Sequence, residues 1–150
     1  MKAHNSEHWV DMAVVLTANT FNLIMVGIFY ARTRGISHPA LFGLVWAIFI
    51  LVLAAVGIRN LRAGREWWFF VLPLIMVVFL AVELVLDYFL QYDFRTTALL
   101  TPYLIVYYLA ILGLIGYAFQ TEKKWGFITL VTYFLSQAAA LYSYLQVGHG

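Results

Sequence analysis

The chain has 150 residues, 64% of them hydrophobic and only 11% charged, with a net charge of +2. Soluble domains run at about 45–50% apolar and about 25% charged, so the composition excludes one and predicts an all-α integral membrane protein. Cysteine is absent, which excludes disulfides, thiol chemistry and cysteine-ligated metals.

Five apolar runs follow one another, at 9–31, 39–58, 67–91, 98–119 and 125–146. Each holds about 20 residues, enough to cross a bilayer core of about 30 Å as a helix. The connections leave no room for a soluble domain, so residues 1–150 are read as one five-helix transmembrane domain. Glu7, His8 and Asp11 precede the first run, which argues against a cleaved signal peptide and for a retained helix.

Helix 1 is expected to start at a cap from Asn5 or Ser6 and to end at Gly35, behind Arg32 and Arg34. Asn19 and Asn22 sit three residues apart on one face near mid-membrane, where amides usually bind other helices. Helix 2 opens with Ser37 as N-cap and Pro39 in the first turn. It is apolar all round and is therefore placed on the flank. Helix 3 opens with Trp67 and Trp68 at the interface, holds Pro73, and ends near Gln91 or Tyr92. Helix 4 carries Pro102 in its first turn, then Tyr103, Tyr107 and Tyr108, and two glycines, Gly113 and Gly116, that permit close approach. A polar turn over Gln120–Lys124 leads to helix 5. Its Thr129, Tyr133, Ser136, Gln137, Ala140 and Tyr144 share a face at near-helical spacing.

Glu83 and Asp87 are the residues that demand explanation. They lie four apart, on one face of helix 3, inside an apolar run. Acids within a membrane span are costly and mark functional sites by default. A carboxyl in low dielectric resists ionisation, and two adjacent carboxyls share a proton. With about 1.5 Å of rise per residue, Glu83 lies about 6 Å and Asp87 about 12 Å from mid-membrane, towards the side where helix 1 ends. Tyr107 and Tyr103 come to about 3 and 9 Å in the same half, and Asn22 and Gln137 near mid-membrane. A ligand-binding set of Glu83, Asp87, Asn22, Tyr103, Tyr107 and Gln137 is the expectation. Helices 1, 3, 4 and 5 would surround this polar interior. The competing reading is an ion pair of Asp87 with Arg32, Arg34 or Arg95, and for the tyrosines simple packing.

Other chemistry finds little support. His4, His8 and Asp11 have metal-like spacing but are read as a solvated helix end, so no metal site is expected. No histidine lies within a span, which disfavours histidine-ligated haem. No glycine-rich phosphate loop or hydrolase triad is present. No cofactor and no nucleic-acid partner are expected, since the bases cluster at helix ends as topology signals.

The acid-bearing helix followed by Pro102-Tyr103-Leu104 resembles the emopamil-binding and sigma-2-receptor group. That resemblance is confined to helix 3 and the opening of helix 4. It implies intramembrane acids that hold a cationic amine or a sterol carbocation. The leading expectation is binding or transport of a small cationic or amphipathic ligand, or of a proton. The alternatives are a structural or assembly subunit of a membrane complex, or a homo-oligomer, and an intramembrane lipid- or sterol-modifying enzyme. Membrane lipids are the surrounding partners in every case. Lys2, Arg59, Arg62, Arg65, Lys123 and Lys124 lie on one side, against Arg32, Arg34 and Arg95. This bias predicts a plasma-membrane protein with the N-terminus cytoplasmic and the C-terminus outside.

Overall fold

A computed structural model describes residues 2–36, 39–92 and 97–147, the side chains of 2–6 and 39–42 excepted. Of the described residues 89% are helical and none lies in a strand. The helices are α1 (Lys2–Thr33), α2 (Pro39–Arg62), α3 (Trp68–Glu83), α4 (Leu100–Thr121) and α5 (Lys123–Val147). A π-helical segment, Leu84–Phe89, continues α3. Each helix is long and apolar enough to cross a membrane, α3 together with its π segment. Such runs fold as helices because lipid offers no partner to the backbone.

The helix ends follow from local chemistry. Asn5 and Ser6 lie inside α1, which begins earlier than a cap at either would allow. Pro39 opens α2, where its missing N–H is no loss. The expected Ser37 cap, Arg95 and the tail from Gly148 lie outside the described residues. α1 and α2 each end in a left-handed glycine, Gly35 at φ 67° and Gly64 at φ 66°. In both, the residue after the glycine donates back five residues: Ile36 N–H to Ala31 O at 3.0 Å and Arg65 N–H to Asn60 O at 3.2 Å. This is the Schellman arrangement, and it folds the chain back over the helix end.

The turn between α4 and α5 is a single residue, Glu122, in extended conformation at φ −156° and ψ 140°. It is tighter than the expected polar turn. The tightness brings Phe119 against Gly126, where a Cβ would stand 2.2 Å from the ring. Gly126→Ala must displace that ring, and a loss of about 1–3 kcal/mol in unfolding free energy is expected. Comparing denaturant unfolding of the two proteins in detergent measures it; equal midpoints and slopes would refute the contact.

α1 packs most extensively on α5, and α2 on α3. Contacts of α3 with α4, α4 with α5 and α1 with α2 complete a ring, and α4 touches α1 across it. Phe21, Trp46, Leu53, Met76, Phe79, Leu80, Ile111 and Leu114 form the core. At its centre Phe21 meets Trp46 at 5.1 Å and Phe79 edge-on at 6.4 Å. α2 is thus no flanking helix. Its span is 28% buried, against 17% for α5. Lipid is as apolar as the core, so a uniformly apolar helix is equally satisfied in either. Of the two glycines in α4, only Gly113 has a neighbour where a Cβ would be, Leu72 of α3 at 3.3 Å.

Candidate intramembrane acid site

Glu83 is the last residue of α3 proper, and it is half-buried. Its carboxyl accepts a short hydrogen bond from the Tyr103 hydroxyl of α4. Tyr103 and Tyr107 both lean on Phe79, with ring centroids at 5.6 and 5.4 Å. Phe79 and Glu83 are one turn apart on α3, as Tyr103 and Tyr107 are on α4, so the two helices present matching faces. Gln137 of α5 donates to the Tyr107 hydroxyl at 3.0 Å. Four of the expected site residues, Glu83, Tyr103, Tyr107 and Gln137, therefore meet in one chain of contacts through Phe79.

Asn22 stands apart from that chain, and Asp87 follows Glu83 by four residues. Asp87 lies on the π segment, where the Leu90 N–H reaches the Val85 carbonyl five residues back at 2.9 Å. A π turn inserts one residue into the ladder, which shifts Asp87 round the axis relative to Glu83; such turns are frequent at functional sites. The segment is held by close packing. Tyr88 lies over Gly43 of α2, where a Cβ would be 2.9 Å from its ring. Gln91 then turns the chain with a positive φ of 48°, uncommon for a residue with a side chain.

Asn22 belongs to the seam between α1 and α5. Its amide donates to the Thr132 hydroxyl at 3.0 Å and to the Thr129 carbonyl at 3.4 Å. Asn19 donates to the Thr129 hydroxyl at 3.0 Å and accepts from Thr132 at 2.8 Å. This is interhelical hydrogen bonding of the kind membrane bundles use. The Asn22 Oδ1 is buried with no hydrogen-bond partner among the described residues. Along α5, Thr129 and Ser136 are buried and Tyr133 and Gln137 half-buried, whereas Tyr144 is exposed.

Tyr108 leaves the predicted stripe. It is about 140° round the helix from Tyr103 and lines an open apolar groove of about 390 Å³ with Thr101, Leu104, Ile105, Leu109 and Leu112.

A second acid site was missed by the sequence reading. Asp11, expected at a solvated helix end, is only 8% exposed. Its carboxylate accepts both ends of the Arg65 guanidinium, at 2.6 and 3.2 Å, and the Tyr117 hydroxyl at 2.6 Å. Asn60 completes the cluster. It accepts from Arg65 at 3.2 Å and donates to the Tyr117 oxygen at 3.2 Å and the Phe69 carbonyl at 2.7 Å. The guanidinium lies 3.7 Å from the Phe69 ring centroid. Burial works against the Arg65 charge, but the hydrogen bond and the charge of Asp11 outweigh it and hold the guanidinium above its ordinary pKa. The Schellman turn at Gly64 is what returns Arg65 to Asn60. Gly64→Ala forces a side chain into left-handed backbone at a cost of about 1–2 kcal/mol. It is expected to loosen the ion pair as well, seen as faster amide exchange at 65–69 beside an otherwise unchanged exchange map.

Two signals for this cluster were present in the sequence. Asp11 and Arg65 fall on the same side by the count of spans, and Gly64 precedes the arginine. The polar tyrosine Tyr117, on an apolar helix, gave the third partner. Among the described residues no three His, Cys, Asp or Glu side chains gather as metal ligands would. His4 has no described side chain.

The chain matches no protein-family model, no curated protein and no solved structure. The fold and site define it as a small all-helical bundle whose five helices are compatible with an integral membrane protein.

Proposed function

We propose that this is an integral membrane protein that binds a small lipophilic cation, or a proton in its place, at Glu83. The observation that carries this reading is the half-buried Glu83 carboxyl at membrane depth, held by the Tyr103 hydroxyl beside the rings of Phe79, Tyr103 and Tyr107. A carboxylate gives such a ligand its counter-charge, and ring faces favour cations. A proton on the carboxyl competes with the cation for the same oxygen. The π segment that carries Asp87 follows directly on Glu83, and such segments are frequent at functional sites. The excess of bases beside the N-terminus favours a cytoplasmic N-terminus in a plasma membrane, with the acid site in the outer half. The exposed face of α5, Phe127, Val131, Phe134, Leu135, Leu141 and Leu145, is apolar. Lipid alone satisfies it, so nothing specific favours a complex subunit.

The test is binding of tetraphenylphosphonium to the purified protein by equilibrium dialysis across pH 5 to 9. Binding is expected to rise with pH, because ionised Glu83 holds the cation and protonated Glu83 does not. Affinity that is flat with pH and indifferent to Glu83→Gln would remove the site assignment.

A further inference from the structure

We infer that the Asp11–Arg65–Tyr117–Asn60 cluster is a closed gate at the N-terminal side of the bundle, which keeps the Glu83 site reachable only from the opposite side. The inference rests on the proposed site at Glu83. It draws on a separate set of groups.

The two acid sites are built alike and lie at opposite ends of α4. Tyr103 serves Glu83 and Tyr117 serves Asp11. Fourteen residues separate the tyrosines, about 21 Å of helix. Between them lies a buried apolar layer of α2, α3 and α4. Ala110, Ile111 and Leu114 of α4 are fully buried, as are Leu53 of α2 and Leu80 of α3, and Met76 is 1% exposed. Along α4, the residues between Tyr108 and Tyr117 carry no polar side chain. A proton or cation at Glu83 would have to pass this buried layer to reach the N-terminal side along α4.

The cluster sits where that layer would have to part. It joins the first turns of α1, the end of α2, the chain after Gly64 and the end of α4, four segments that a wider opening must separate. Its charges are paired and its hydrogen bonds mutual, so it holds as a unit or releases as one. Well-packed apolar residues would stabilise the same junction at least as well, since taking two charges out of water is costly. A buried ion pair differs from such a junction in that it can exchange its partners for water. That property suits a closure that opens, and the wet membrane interface is close by.

The absence of native cysteine makes the test direct. Leu114→Cys places one thiol in the buried layer, three residues from Tyr117. The full-length protein is reconstituted in vesicles, and modification by a membrane-impermeant maleimide is timed from each side. Little modification from either side is expected. Adding Asp11→Asn should raise the rate about tenfold or more from the N-terminal side alone, because the guanidinium loses its counter-charge. The exchanged pair, Asp11→Arg with Arg65→Asp, should restore protection. Tyr117→Phe, which removes one hydroxyl and keeps the ring, should give a smaller rise on the same side. An unchanged rate in Asp11→Asn overturns the gate. So does an equal rise from both sides, which would mean the bundle had simply loosened. No ligand enters this measurement, so failure of the Glu83 assignment in the dialysis experiment is read separately.

Discussion

Asp11→Ala is expected to lower the unfolding free energy by about 3 kcal/mol, the largest loss of any single substitution considered for this chain. The carboxylate accepts three hydrogen bonds, two from Arg65 and one from Tyr117. Its removal leaves a guanidinium with 15% side-chain exposure facing Asn60 and an aromatic ring. Truncating one partner of a buried pair costs about 3–5 kcal/mol; the remaining exposure of Arg65 puts this case at the lower end. Removing both charges should cost much less. The double variant Asp11→Leu with Arg65→Leu is expected to recover most of the stability, since no charge then remains buried. Denaturant unfolding in detergent, followed by circular dichroism, measures all three proteins. If Asp11→Ala and the double variant lose equally, the ion pair is not what holds the helix ends.

Glu83→Gln is expected to weaken tetraphenylphosphonium binding by at least about tenfold, or 1.4 kcal/mol, and to abolish its pH dependence. The amide keeps the shape and still accepts from Tyr103, so the fold should be unaffected. What it lacks is the negative charge and the ability to take a proton. Asp87→Asn should have a smaller effect, because it is Glu83 that the Tyr103 hydroxyl holds beside the Phe79 and Tyr107 rings. Tyr103→Phe separates the two contributions of that tyrosine. The ring remains to face the cation and the hydroxyl no longer holds the carboxyl, so binding should persist with a displaced pH midpoint. Identical binding curves for Glu83→Gln and the parent protein would instead assign the acid a structural role.

Two parts of the candidate site were legible at very different levels. That Glu83 and Tyr103, and Tyr107 and Gln137, lie at comparable depths follows from counting along each helix, because a rise of about 1.5 Å per residue is rigid and the membrane fixes its origin. Rotation about each axis is not fixed in that way. Tyr108 shares the depth of Tyr107 and faces an outer groove, and Asn22 shares the depth of the acid site and faces Thr132 of α5. In a soluble helix the polar face reveals the rotation; a helix apolar all round carries no such mark.

Composition and run length alone determined that the chain is helical, that five of its helices suit a membrane, and that acids within one of them need partners. Those properties depend on sums along the chain: apolar length against bilayer thickness, and backbone hydrogen bonds closed within a few residues. Tertiary structure decided the rest. It placed α2 in the core, since core and lipid are equally apolar. It turned the end of α3 into a π segment, with Tyr88 packed over Gly43 of α2. It brought Asp11 to Arg65, residues from opposite ends of two spans, because the left-handed turn at Gly64 aims the arginine back at a carboxylate that no local pattern could have paired with it.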